Sequence, residues 1–138
     1  MPETLPRLLF VCVENSNRSQ MAEGFARALG RGRVDAASAG SRPSGVINPR
    51  AIRFMAEKGI ALGAQRSKGL DDLPKVEWDW VVTMGCGDSC PHLPARHRLD
   101  WDLPDPKHLD DDGFRAVRDR IERLVGDLIA TATAAPPE

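Results

Sequence analysis

In Cys12-Val13-Glu14-Asn15-Ser16-Asn17-Arg18-Ser19 a cysteine and an arginine are separated by five residues. A loop of that length leading into a helix can curl so that several backbone N–H groups converge on one point, where the helix dipole also favours negative charge. A tetrahedral oxyanion fits such a cradle, held by Val13, Glu14, Asn15, Ser16, Asn17 and Arg18. The same field stabilises a thiolate, so Cys12 is the expected nucleophile. Arg18 adds planar, permanently charged donors that hold two oxygens and follow them into the transition state. Ser19 is placed to give its hydroxyl hydrogen to the Cys12 sulfur and help it leave later. Asn15 is expected to hydrogen-bond within the loop and hold a strained backbone. From residue types alone the alternative is a small buried cysteine at a strand end beside a solvated arginine.

The surrounding pattern supplies the elements such a loop needs. Leu8-Leu9-Phe10-Val11 is a continuous apolar run, the mark of a buried parallel strand, and it stops at Cys12. From Ser19 the pattern turns helical, with Met21, Ala22, Phe25, Ala26 and Leu29 on one face and Gly30 as the stop. The loop therefore lies outside the carboxyl end of a strand, where α/β sheets bind ligands. Residues 34–39 read as a strand ending in Gly40, followed by a Ser/Gly/Pro loop over 41–47. Asn48-Pro49 predicts an N-cap and first helical residue, with Ile52, Phe54 or Met55 on the apolar face and Lys58-Gly59 as the stop. Residues 67–73 admit a short helix. Trp80-Val81-Val82-Thr83 is a second buried-strand run, residues 85–94 a loop or single helical turn, and residues 96–99 a last strand. The acidic, proline-bearing stretch 102–112 predicts an exposed loop. From Phe114, positions Val117, Ile121, Leu124, Val125, Leu128 and Ile129 fall on one stripe, with acids opening the helix. Alternating strands and helices predict a three-layer α/β domain with a mostly parallel central sheet flanked by helices.

The totals agree. At 138 residues the chain reads as one domain, 1–138, with a frayed tail at about 132–138. Charged residues are 28% and apolar residues 41%, a globular composition, and the net charge of −1 offers no field to nucleic acid or an anionic membrane. The N-terminal apolar run is too short for a signal peptide or membrane span, which points to the cytoplasm. No Gly-Lys-Ser/Thr follows a glycine-rich turn, so a Walker-type nucleotide loop is absent. Three cysteines cannot all pair, and a reducing compartment favours cysteine chemistry over a static disulfide.

Taken together, Val11-Cys12 through Asn15 and Arg18-Ser19-Gln20-Met21-Ala22-Glu23 resemble the signature of the low-molecular-weight phosphotyrosine phosphatase superfamily, in its thioredoxin-coupled arsenate reductase branch. Gln20-Met21-Ala22-Glu23 leans to the reductases, because the phosphatases usually carry proline after the loop serine. Ser38-Ala39-Gly40, the stretch from Val81 to Pro91, and Trp101 through Asp105-Pro106 extend the resemblance over nearly the whole chain.

The resemblance implies that Asp105 is the general acid, on a loop brought over the oxyanion site; from the residues alone an Asp before Pro106 is equally turn chemistry. It implies reduction of arsenate to arsenite, for which two electrons must leave a thiol–arsenate adduct and further thiols are needed. Cys86 and Cys90 meet that need, with Cys86 attacking Cys12 and Cys90 passing the disulfide to an external reductant. No cofactor is bound in this scheme. The partner is thioredoxin, or a glutaredoxin- or mycoredoxin-type donor with a small thiol. Met84-Gly85-Cys86-Gly87-Asp88 more closely resembles relatives that use a small thiol such as mycothiol, and Asn17 stands where some relatives have another cysteine. Relatives with an alkali-ion site use residues matching Asn15, Glu23 and Ser38. The alternative activity is a phosphatase acting through a Cys12 phosphoenzyme, whose pocket should have aromatic walls. The chain has no tyrosine, and Lys107-His108 follow Asp105-Pro106 where phosphatases commonly place aromatics. A reading from another class is a metal module of Cys86, Cys90, His92 and His97, although that spacing matches no common zinc pattern.

Overall fold

The computed structural model describes residues 5–84 and 93–134. Four strands, β1 (Arg7–Cys12), β2 (Asp35–Gly40), β3 (Trp78–Thr83) and β4 (Ala95–Asp100), form one parallel sheet in the order β2-β1-β3-β4. Among the described residues three α-helices accompany them: α1 (Arg18–Leu29), α2 (Pro49–Ala56) and α3 (Asp111–Ala132).

β1 is an interior strand, and Leu8, Leu9, Phe10 and Val11 are fully buried. That is why its sequence is apolar without alternation: both faces of the strand meet packed layers. Leu8 and Phe10 join one core with Phe25 of α1, Phe54 and Met55 of α2, and Phe114 and Ile121 of α3. Leu9 and Val11 turn to the other face with Trp78 and Val81, where the described residues covering the sheet are Leu70, Leu73, Val76 and Leu93. Burying one such Phe or Ile side chain contributes about 1.5–3 kcal/mol, so the helical side holds most of the apolar stabilisation. The chain steps from β1 to β2 on one side and to β3 on the other, so Cys12 ends the strand at which the winding direction reverses. A crevice opens at such a switch point.

Local chemistry sets the element ends. The Asn48 side chain accepts from the Arg50 N–H at 2.9 Å, and Pro49 opens α2 as expected. Gly59, at φ +74°, ends the turn after α2 in a conformation that favours glycine. Gly30 closes α1 with its N–H on the Ala26 carbonyl at 2.9 Å. Leu29, expected on the buried face of α1, is exposed, as is Ile52 on α2. Both helices narrow their buried stripe at those positions. α3 starts before the apolar stripe does, because Asp110 caps it by accepting from the Gly113 N–H at 2.8 Å, with Asp111 and Asp112 in the first turn.

Two expectations are corrected. Only Leu70–Asp72 of the stretch 67–73 is helical, as a 3-10 turn in which Asp72 Oδ2 accepts from the Gly69 N–H at 3.0 Å. Gly69 instead forms an isolated parallel bridge with Gly40 at the end of β2. The stretch 102–112 is not uniformly exposed: Leu103 and Pro106 are buried, and Pro106–His108 forms a 3-10 turn. Trp101 and Leu103 belong to the helical core, and their apolar surface outweighs the acidic composition around them. β4 is an edge strand, guarded by Arg96, which lies 3.3 Å from Glu77 and 3.7 Å from Asp79. No described helix is long and apolar enough to cross a membrane.

Candidate active site

Cys12 ends β1 and Arg18 opens α1, so residues 13–17 must turn the chain within one short loop. The loop turns its carbonyls outward. Those of Cys12, Val13, Glu14 and Ser16 accept from the N–H groups of Ser41, Arg42, Ser44 and Asn48 at 2.8–3.2 Å. By contrast, no N–H from Val13 to Asn17 donates to a described residue. That polarity is what an anion requires. The turn is made by Asn15, the one described non-glycine residue with positive φ, at 51°. Gly40 of β2 lets the loop lie against the sheet, since a Cβ there would fall 2.5 Å from the Val13 carbonyl oxygen and 2.9 Å from the Asn15 nitrogen.

Beneath the loop the polar groups are paired. Cys12 Sγ lies 2.8 Å from Ser19 Oγ. Asn15 Nδ2 donates to Ser19 Oγ at 2.8 Å and to Ser38 Oγ at 2.9 Å. Its Oδ1 accepts from Gln20 Nε2 at 2.8 Å and from the Lys68 N–H at 2.9 Å. Asn15 is fully buried, so these four bonds satisfy an amide that would otherwise be costly, and they hold its left-handed backbone in place.

Arg18 faces the cleft from the start of α1. Its Nη1 donates to the Leu103 carbonyl at 2.9 Å, and its Nη2 lies 3.8 Å from Asp105 Oδ2. Asp105 Oδ1 accepts from the Lys107 N–H at 3.0 Å, which orients the carboxylate, and Lys107 Nζ lies 3.5 Å from Glu14 Oε1. Cys12, Val13, Glu14, Ser16, Asn17, Arg18 and Asp105 line one small cleft. A larger groove of about 510 Å³ lies against Leu73, Val76, Trp78 and Leu93 on the other face of the sheet. Its described lining residues include no cysteine, whereas the small polar cleft holds Cys12 beside Arg18 and Asp105.

The residues matching an alkali-ion site do meet, but not as that site. Glu23 is 1% exposed, so it is not the solvent-facing helix residue its sequence position allows. Its Oε1 accepts from Ser38 Oγ at 2.6 Å and lies 3.5 Å from Lys68 Nζ, while Oε2 accepts from Arg27 Nε at 2.7 Å. Ser38 therefore spends its hydrogen on Glu23, and Asn15 presents nitrogen rather than oxygen to Ser38. Every carboxylate and amide oxygen is already taken, two of them facing cations. The donor set does not fit an alkali ion.

Cys86, Cys90 and His92 lie outside the described residues. His97 is stacked on Trp80 with ring centroids 4.3 Å apart, and the described residues hold no cluster of metal-ligating side chains. The motif did not announce the residues that brace the loop from behind. Gln20 Nε2 donates to the Arg66 carbonyl at 2.7 Å, Ser67 Oγ to the Glu14 carbonyl at 3.0 Å, and Gly40 N–H to the Lys68 carbonyl at 2.9 Å. No local pattern marks residues 66–68, because their partners are distant in sequence, up to 53 positions away.

Residues 7–135 match the family described as low molecular weight phosphotyrosine protein phosphatase. The chain belongs to that family. Among relatives, it is 38% identical over 129 residues to a glutaredoxin arsenate reductase of Synechocystis sp., covering 91% of this chain and 98% of that one. Among solved structures of the family, it is similar to an arsenate reductase in the phosphate binding state, with a TM-score of 0.83 and 36% identity over 93% of this chain and 99% of the other. It is also similar to a thioredoxin-dependent arsenate reductase of Corynebacterium glutamicum, with a TM-score of 0.78 and 29% identity over 96% of this chain and 64% of that one.

Proposed function

We propose that the chain is an arsenate reductase of the cytoplasm, acting in arsenic detoxification, and that Cys12 is its nucleophile. The observation that carries this reading is the Cys12 sulfur beside a loop whose N–H groups have no acceptor among the described residues, hydrogen-bonded to Ser19 and in a cleft shared with Arg18 and Asp105. Arsenate enters the loop and its oxygens take the backbone N–H groups and Arg18. Cys12 attacks arsenic, a sulfur–arsenic bond forms, and one oxygen leaves as water with the proton that Asp105 supplies. A second thiol, Cys86, then attacks the Cys12 sulfur. The electron pair of the sulfur–arsenic bond stays on arsenic, which leaves as arsenite, and two thiols have become one disulfide. Cys90 takes over that disulfide and presents it to the external reductant.

Names among the relatives favour reduction over phosphate-ester hydrolysis, and the three cysteines of the sequence agree. They divide on the donor, one naming glutaredoxin and another thioredoxin. The test is arsenite production from arsenate by the wild type and Cys90→Ser, each supplied with a thioredoxin system and, separately, with a small thiol plus glutaredoxin. Turnover that vanishes in the variant supports the relay and identifies the donor. Absence of arsenite with either donor, alongside hydrolysis of a phenyl phosphate, would replace this reading by the phosphatase.

A further inference from the structure

We propose that the Lys68 ammonium is a built-in cation of the oxyanion loop, a positioning residue that fixes the direction of the hydrogen-bond chain ending on Cys12 and makes the loop independent of alkali ions. The inference rests on Cys12 being the nucleophile. Direction follows from counting hydrogens. The backbone N–H of Lys68 can only donate, so the atom it meets on Asn15 is the oxygen, and the other amide atom is the nitrogen. That nitrogen has two hydrogens, one for Ser19 Oγ and one for Ser38 Oγ. Both hydroxyls therefore accept from Asn15 and must donate elsewhere. Ser38 donates to the Glu23 carboxylate, which as an anion only accepts, and Ser19 is left to donate to the Cys12 sulfur. The carboxylate anchors the sequence, because a protonated Glu23 would have a hydrogen to give Ser38 and could reverse it.

Lys68 supplies the counter-charge at the right atom. Glu23 Oε1, the oxygen that receives the Ser38 hydrogen, is the one 3.5 Å from Lys68 Nζ, whereas Arg27 serves Oε2. The Lys68 side chain is largely buried, and the same residue contributes its main-chain N–H to Asn15 Oδ1 and its carbonyl to Gly40 N–H. One residue thus holds both ends of the chain, the charge by its side chain and the amide orientation by its backbone.

The test reads the thiolate without arsenate, so its failure is separable from failure of the proposed reaction. The rate of Cys12 alkylation by iodoacetamide is measured at pH 6.5 in potassium chloride and in tetramethylammonium chloride at equal ionic strength, on the double variant Cys86→Ser/Cys90→Ser so that only Cys12 reacts. With Lys68 present the two salts should give the same rate. Adding Lys68→Ala should lower the rate in tetramethylammonium by about 3- to 10-fold, because the Ser19 hydrogen bond to the Cys12 sulfur is then no longer fixed in direction. Potassium or the charge-retaining Lys68→Arg should restore it. A potassium-stimulated rate with Lys68 in place would overturn the proposal, and this arm stands whether or not the alanine variant folds. So would a Lys68→Ala rate unchanged in tetramethylammonium.

Discussion

Arg18 Nη1 donates to the Leu103 carbonyl at 2.9 Å, across 85 positions of sequence. The guanidinium that faces the cleft beside Cys12 thereby also fastens the segment that carries Asp105, while its other terminal nitrogen lies 3.8 Å from that carboxylate. One planar group with several donors sets the distance between Asp105 and the loop after Cys12.

A lysine cannot do both. Arg18→Lys keeps the charge but loses the fixed fork that serves Leu103 and the oxyanion together. Turnover should fall by about 10²–10³, the scale for removing a preorganised oxyanion donor. Steady-state assays with arsenate, and in parallel with a phenyl phosphate, check it; a loss below tenfold in both would show that the fork is dispensable.

Asp105→Asn preserves shape and the contact with the Lys107 N–H but removes the acidic proton. Adduct formation should slow by about 10²–10⁴ in single-turnover experiments, the usual worth of a general acid. Alkylation of Cys12 should change little. An equal loss in both would make Asp105 a structural cap of its 3-10 turn.

Gly40→Ala tests the seat of the loop. The added Cβ meets backbone atoms at 2.5 and 2.9 Å, which cannot swing aside as a side chain tip can. Stability should drop by about 1–3 kcal/mol through overpacking, and Cys12 reactivity should fall with it. Urea unfolding and alkylation kinetics on the same preparation give both numbers; unchanged kinetics would mean the loop can lift off the sheet at no cost.

Far from the cleft, hydrogen bonds from Arg115 and then Arg118 lower the Glu57 carboxyl from the usual 4.5 to about 2. The folded value lies below the unfolded one, so this support for the α2–α3 contact is complete above about pH 4.5 and is lost as the pH falls through about 2. Thermal unfolding of wild type and Glu57→Gln should therefore differ most above pH 4.5 and converge near pH 2. Curves that diverge on acidification would reverse the sign.

Much of this molecule is legible in its sequence because the relevant signals are local. The uninterrupted run at Leu8–Val11 announces an interior parallel strand, and Asn48-Pro49 fixes a helix start to the residue. Cys12, Asn15, Arg18 and Ser19 also fall within one short stretch spanning the end of β1, its loop and the start of α1, so their partnership can be read from spacing alone. What escapes is whatever depends on distant partners. Leu103 looks like part of an acidic loop until Trp101 and the helical core claim it, and Glu23 looks solvent-facing until Ser38 and Lys68 close over it. Lys68 carries no mark at all, since a lone lysine between serine and glycine reads as surface.

The amide of Asn15 is held by groups drawn from separate stretches of chain, including Ser38, 23 positions away, and Lys68, 53 positions away. A half-synthesised or partly melted chain lacks one or another of them, and its cysteine then has no organised cradle. If Cys12 is the nucleophile proposed above, its cradle exists only in the finished fold, which would spare the nascent protein from spending that thiol on stray electrophiles and oxidants before there is a substrate site to use it.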